Sequence, residues 1–308
     1  MSATQTIRLD GRVAIVTGAG GGLGRCHALA LAARGAKVVV NDLGAARDGS
    51  VSGASPADEV VAEIVALGGQ AMASRASVTD PVAVQAMVDE VVARWGRVDI
   101  LVNNAGFLRD KSFSKMSVDD IRQIVDVHLL AAFYTTKAVW DLMKAQNHGR
   151  IVFTTSSSGL FGNFGQANYA AAKMGLVGLM QTLALEGEKY NVRVNCLAPT
   201  AATRMTEGLM PPEVLALLTP EAVSPAVVFL CGDEAPTRAI VNAGAGTFAA
   251  THVAMTQGVH LGVGGDVADA LQAAWPQVSD RAGDSVPPQG AAQNQQEVGL
   301  ALQARSGG

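Results

Sequence analysis

The chain has 308 residues, 49% hydrophobic and 16% charged, where globular proteins usually carry about 25% charged residues. That is enough chain to bury a large core, as one big domain or two small ones. A net charge of −4, from 23 basic and 27 acidic residues, offers no basic footprint for a nucleic acid, and no apolar run reaches membrane-spanning length. Cys26, Cys196 and Cys231 are far apart, odd in number and lack ligand spacing, so they read as buried thiols of a reducing compartment. The first residues, MSATQTIRLDGR, lack the apolar core of a secretory signal, and the final Ser-Gly-Gly is no peroxisomal address, so the expected location is cytoplasmic.

In chain order, Val13–Thr17 is a β-branched run that leads at once into Gly18-Ala-Gly20-Gly21-Gly22-Leu23-Gly24 and a helical pattern to Arg34. Strand, glycine turn and helix form the context of a dinucleotide fingerprint. The glycines let backbone approach a pyrophosphate, and the helix start offers free N–H groups and a positive dipole end. The next strand, Lys37-Val38-Val39-Val40-Asn41-Asp42, ends in an acid. A carboxylate there can accept the ribose hydroxyls of NAD and repel the 2′-phosphate of NADP, although Asp42 could also simply open a turn.

Residues 43–56 read as a Gly/Ala/Ser loop insertion, 57–67 as helix and 71–76 as a third strand. Asp80-Pro81 signals a helix start, Asp as N-cap and Pro at the first helical position, for a helix to about Trp95. A fourth strand over 98–102 precedes the small polar turn Asn103-Asn104-Ala105-Gly106, and a long amphipathic pattern covers 117–144. A fifth strand over 151–155 delivers Ser156, and the helix over 167–188 carries Tyr169 and Lys173. A sixth strand over 192–197 precedes a segment, 203–218, that is either a packing helix or a mobile cover for an apolar substrate. Alternating strands and helices imply an α/β fold: a Rossmann-like, doubly wound parallel sheet with helices on both faces in a single domain. The expected division is a catalytic domain over residues 8–250 and an extension over 251–308, partly disordered or packing on a neighbouring subunit.

Tyr169 and Lys173 are one helical turn apart in Tyr-Ala-Ala-Ala-Lys, so their side chains share a face. A phenol titrates near 10, and moving that to about 7 needs about 4 kcal/mol of preference for the phenolate. One cation about 5 Å away at an effective dielectric of about 20 supplies roughly 3 kcal/mol. A second positive charge, such as an oxidised nicotinamide, can supply the rest, so the pair can serve as a general acid/base, with Ser156 holding the reacting oxygen. Taken alone, Tyr-x-x-x-Lys is a common pattern that favours an ordinary amphipathic helix with a snorkelling lysine.

Together these residues resemble the short-chain dehydrogenase/reductase family from about Gly11 to Gly246. The cofactor motif matches Thr17 to Gly24, the supporting turn matches Asn103 to Gly106, and the catalytic residues match Ser156, Tyr169 and Lys173. Val40-Asn41-Asp42-Leu43-Gly44, Leu108-Arg109-Asp110, Gly162 to Tyr169 and Arg204-Met205-Thr206 are similar to one branch. That branch comprises 3-hydroxyacyl-CoA dehydrogenase domains of peroxisomal multifunctional enzymes and bacterial hydroxyacyl-CoA and 17β-hydroxysteroid dehydrogenases. The resemblance implies NAD bound by Gly18, Gly22, Leu23, Gly24, Asp42, Ser77, Val78, Asn104, Ala105, Gly106, Tyr169, Lys173 and Thr203. It implies a small-molecule substrate, an acyl-CoA or a steroid, and a homodimer or homotetramer. Where the family has an asparagine in its proton relay, this chain has His128, acting either through its backbone carbonyl or through the imidazole. Arg109, Lys111 and Lys115 are candidates for coenzyme A phosphates, and Leu160, Phe161, Phe164, Leu209 and Met210 for an apolar pocket wall. The rivals are a hydroxysteroid or other ketone dehydrogenase and, in another class, a non-catalytic nucleotide-binding sensor.

Overall fold

Both faces of the first strand are buried, and its side chains divide cleanly between them. In β1 (Val13–Thr17), Ala14 and Val16 enter one core, while Val13 and Ile15 enter the other. This is the signature of a parallel sheet covered on both sides, whose strands read as continuous apolar runs. The computed structural model describes residues 6–44, 55–202 and 211–306.

The elements follow as α1 (Gly22–Ala33), β2 (Lys37–Asn41), α2 (Pro56–Ala66), β3 (Gln70–Ser74), α3 (Pro81–Trp95) and β4 (Ile100–Asn103). Next come α4 (Val118–Val125), a π-helical turn at Asp126–Leu130, α5 (Ala131–Ala145), β5 (Gly149–Thr154), α6 (Ser157–Phe161), α7 (Ala167–Gly187) and β6 (Val192–Thr200). The series continues with α8 (Pro212–Leu217), α9 (Ser224–Cys231), β7 (Ile240–Gly244) and β8 (Thr247–Thr251). The sheet order is β3-β2-β1-β4-β5-β6-β7-β8. The registers from β3 through β7 are all parallel. β7 and β8 are joined by Ala245 and Gly246, both at positive φ, the two-residue turn that suits an antiparallel hairpin. The order reverses at β1, so the loops after β1 and β4 open a crevice at the carboxyl ends of the strands.

Several boundaries move from the sequence expectation for local reasons. β4 begins at Ile100 rather than 98 because the buried carboxylate of Asp99 accepts the Val13 N–H at 2.9 Å and is held by Arg12 and Arg97. β3 ends at Ser74, not 76, because the Ser74 hydroxyl accepts the Ala76 N–H and turns the chain. Asp80 caps α3 as expected, accepting from the N–H groups of Val82 and Ala83. The amphipathic pattern over 117–144 is not one helix. It opens with a capping box between Ser117 and Asp120 and is interrupted by the π turn. β6 runs on through Pro199 to Thr200.

By contacts the chain divides into two units, Met1–Ala250 and Thr251–Gly308. The second holds two helices, α10 (Val267–Val278) and α11 (Ala291–Ser306), a bridge between Met255 and Ser285, and side-chain bonds from Gln296 to the carbonyls of Thr256 and Gln257. No described helix is long and apolar enough to cross a membrane.

Candidate active site

The turn after β1 is braced from below by a hydroxyl. Thr17 Oγ1 accepts the N–H groups of Asn104 (3.0 Å) and Ala105 (3.1 Å), while Asn104 Nδ2 donates to the carbonyls of Thr17 (3.0 Å) and Gly18 (3.2 Å). Asn104 and Ala105 thus shape the glycine turn through its backbone. A methyl group at Gly18 would sit 2.7 Å from Ala105 Cα, and one at Gly24 would sit 2.1 Å from the Gly18 carbonyl oxygen. These contacts leave no room for side chains, and the turn presents bare backbone to the crevice. Gly21, the residue before α1, makes no side-chain cap bond, so the first N–H groups of the helix depend on a ligand or water. Leu23 packs against the core beneath them.

Asp42, just past β2, aims at the same turn. Its carboxylate accepts the N–H of Gly20 and the N–H of Gly44, both at 2.9 Å. A cradle of bare backbone at a helix start, closed at one end by an acid, fits a dinucleotide. Ser77 and Val78 lie in the turn between β3 and α3, where the Ser77 hydroxyl bonds that of Thr79. Thr203 lies outside the described residues, as do Leu209, Met210 and the Arg204–Met205–Thr206 string.

The catalytic candidates gather at the ends of β4 and β5 and the start of α7. Ser156 caps α6, its Oγ accepting the Ser158 N–H at 3.2 Å, and its hydroxyl favours the charged form of the Tyr169 phenol. Lys173, 3% exposed, lies under Tyr169, its Nζ 5.5 Å from the ring centroid and donating to the Thr154 carbonyl at 2.5 Å. The Thr155 hydroxyl donates to the Lys173 carbonyl at 2.7 Å, which clamps α7 to the end of β5. The electrostatics differ from the sequence expectation of a lowered phenol. Burial pushes Tyr169 up from its usual value of 10, opposed by the Ser156 hydrogen bond and reinforced by the charge of Asp110. Burial also pulls Lys173 down to about 7. Desolvation is the largest influence on each of the two groups.

His128 sits in the π turn, 5% exposed, its ring edge-on to Tyr169 at 5.0 Å. Nε2 lies 2.7 Å from the Phe107 carbonyl and 3.2 Å from the Phe107 N–H, the shorter approach favouring a proton on that nitrogen, while Nδ1 is buried with no hydrogen-bond partner. Burial first, and then the Lys173 charge, pull its pKa to about 3, so the ring is neutral at physiological pH. A methyl group at Gly106 would sit 2.1 Å from His128 Cε1, so the 104–107 turn and the imidazole share one tight fit.

The basic candidates have different surroundings. Lys111 Nζ pairs with Asp120 at 2.7 Å and thereby locks the capping box of α4, so it is structural. Arg109 lies over the Phe107 ring at 5.5 Å and is exposed, and Lys115 is also exposed. Leu160 packs against the core, whereas Phe161 and Phe164 are 70% and 91% exposed. The sequence reading missed as individual residues Thr17, Asp110, Gln166 and Asn168. All four lay inside strings that it singled out, and each acts through a backbone or amide bond that has no pattern of its own.

The short chain dehydrogenase family matches residues 12–213. This chain is a short-chain dehydrogenase. A short-chain type dehydrogenase/reductase of Mycobacterium tuberculosis is 48% identical over 276 residues, covering 89% of this chain and 96% of that one. The peroxisomal multifunctional enzyme type 2 of Mus musculus is 53% identical over 225 residues, which are 73% of this chain but only 30% of that protein. A solved 7α-hydroxysteroid dehydrogenase, complexed with NADH and 7-oxo glycochenodeoxycholic acid, aligns with a TM-score of 0.71 at 32% identity, covering 80% of this dehydrogenase and 98% of that chain. The dehydrogenase is thus an oxidoreductase of a family that uses nicotinamide dinucleotides, related to both peroxisomal multifunctional enzymes and hydroxysteroid dehydrogenases.

Proposed function

We propose that this dehydrogenase interconverts a secondary alcohol and a ketone with NAD, and that its substrate is a 3-hydroxyacyl-CoA of fatty-acid or sterol side-chain degradation. The convergence of Ser156, Tyr169 and Lys173 beside the glycine turn carries the reaction class. The 53% identity to a peroxisomal multifunctional enzyme carries the substrate class. The nicotinamide ring, when bound, accepts the hydride. In oxidation Ser156 orients the substrate oxygen and Tyr169, as phenolate, takes the hydroxyl proton. Lys173 stabilises that phenolate in its charged form and holds the nicotinamide ribose. The cradle of Gly18, Gly22, Leu23 and Gly24, braced by Asn104, Ala105 and Gly106, holds the dinucleotide, with Ser77, Val78 and Thr203 as its further binding residues. His128 fixes the 104–107 turn through its Nε2–H, and its backbone or its free Nδ1 takes part in proton transfer. Three buried thiols suit a reducing cytoplasm, and the active form is a homodimer or homotetramer.

Asp42 carries the choice of NAD. Its carboxylate, bonded to Gly20 and Gly44, sets a negative charge where NADP bears its phosphate. Asp42→Ala is expected to narrow the preference for NAD without reversing it, since no new cation appears. Steady-state efficiencies with both dinucleotides measure this. A wild type that works equally well with NADP contradicts the assignment.

The substrate is tested by comparing 3-hydroxybutyryl-CoA with its N-acetylcysteamine thioester, which differ only in the remote nucleotide handle. Binding energy from that handle raises efficiency on the full coenzyme, and Arg109→Ala shrinks the gain. Equal efficiency on both, with better turnover of a free hydroxysteroid, would move the assignment to the steroid reading that the structural likeness also supports.

A further inference from the structure

Three hydrogen bonds in series tie a surface loop to the catalytic serine. Gln166, 8% exposed, is the residue before α7 and lies three positions ahead of Tyr169. Its Nε2 donates to the Asp110 carboxylate at 2.8 Å. Its Oε1 accepts from the buried Ser158 hydroxyl at 2.7 Å and from Asn163 Nδ2 at 3.0 Å. The Ser158 N–H in turn donates to Ser156 Oγ at 3.2 Å. Because a carboxylate can only accept, the amide orientation of Gln166 follows from Asp110. The same loop is sewn to α7 twice more. The Lys111 N–H donates to the Gly165 carbonyl at 2.9 Å, and Asn168 Nδ2 donates to the carbonyls of Asp120 and Arg109 at 3.1 and 3.4 Å.

We propose that Asp110 and Gln166 are positioning residues whose hydrogen bond, passed through Ser158, sets Ser156 against Tyr169. The proposal rests on the Ser156–Tyr169 reading above. Gln166 is the hub because it borders both groups: it precedes the helix that carries Tyr169 and grips the turn that carries Ser156. Asp110 contributes its charge as well as its geometry. The charged and polar groups around the Tyr169 phenol are Lys173 from its own helix, neutral His128 from the π turn, Ser156, and Asp110 from the loop.

The test replaces Gln166 by an isosteric acid and then restores the bond with its polarity reversed. Gln166→Glu keeps the acceptor for Ser158 but removes the donor to Asp110 and sets two carboxylates together. Loss of one such bond is expected to lower kcat for 3-hydroxybutyryl-CoA about tenfold or more, with NAD affinity by fluorescence titration little changed. Adding Asp110→Asn lets the new amide donate to the carboxylate introduced at position 166, and the double variant should regain most of the lost kcat. Asp110→Asn alone keeps an acceptor for Gln166 but removes the charge, so the rising limb of kcat against pH should move to acid by a few tenths of a unit, Asp110 being exposed and screened. Wild-type kcat in Gln166→Glu, or a folded double variant with no recovery, overturns the proposal. Should Gln166→Glu not fold, the pH profile of Asp110→Asn decides, and an unmoved limb overturns it. Tyr169→Phe in the same assay separates the two readings, because activity surviving there would refute the catalytic assignment itself.

Discussion

Tyr169→Phe is expected to lower kcat by about a hundredfold or more, the usual consequence of losing a general acid/base, while NAD binds nearly as before. The replacement keeps the ring, and with it the edge-on contact to His128 and the packing over Lys173. Only the hydroxyl is lost. The pH profile sharpens the test. Burial holds the phenol above its ordinary value, so below that pKa the phenolate fraction, and with it the rate of alcohol oxidation, climbs as pH rises through neutrality. In the phenylalanine variant that climb should vanish. Residual activity within a few-fold of wild type, with an unchanged profile, would mean that another group moves the proton.

Gly24→Ala should damage the cofactor cradle although it improves local helix propensity. In an open helix alanine gains about 1 kcal/mol over glycine. Here the added carbon would lie 2.1 Å from the Gly18 carbonyl oxygen and 2.6 Å from Asn104 Nδ2, so backbone must move. Overpacking of this kind costs roughly 1–3 kcal/mol. The displaced atoms belong to the turn that is to receive the pyrophosphate, so NAD affinity should fall about tenfold or more. Calorimetric unfolding and NAD titration read the two effects separately. Unchanged affinity would show that the Gly18 turn does not touch the dinucleotide.

The sheet was legible in the sequence because a parallel strand buried on both faces writes itself as an unbroken apolar run, as in Val38-Val39-Val40, and because each run ends at a glycine or small polar turn. Those turns brought Gly18, Asp42, Asn104, Ser156 and Tyr169 to one edge of the sheet, and the structure places them there. What escaped was whatever depends on partners distant in sequence. Lys111 looked like a free cation for a phosphate until Asp120 claimed it. Asp110 and Gln166 are 56 residues apart and carry no shared pattern. The π turn at His128 leaves no periodicity signal, since one extra residue in a helix only slips the stripe. The ionisation of Tyr169 and Lys173 in the chain alone was not legible either: their attraction can be read from i to i+4 spacing, but the desolvation that opposes it depends on how deeply the fold buries them.

Burial of Lys173 also places this position under opposed pressures. Its amine titrates near 7 in the fold instead of 10.5. The folded state therefore resists the charged form, a penalty that grows as pH falls from 10.5 and is complete below 7. Heat resistance alone, used as a screen, would draw this position toward an unbranched apolar residue, and the variants it enriched would have lost the amine. Thermostabilisation of this fold therefore has to hold position 173 fixed and look for its gains elsewhere.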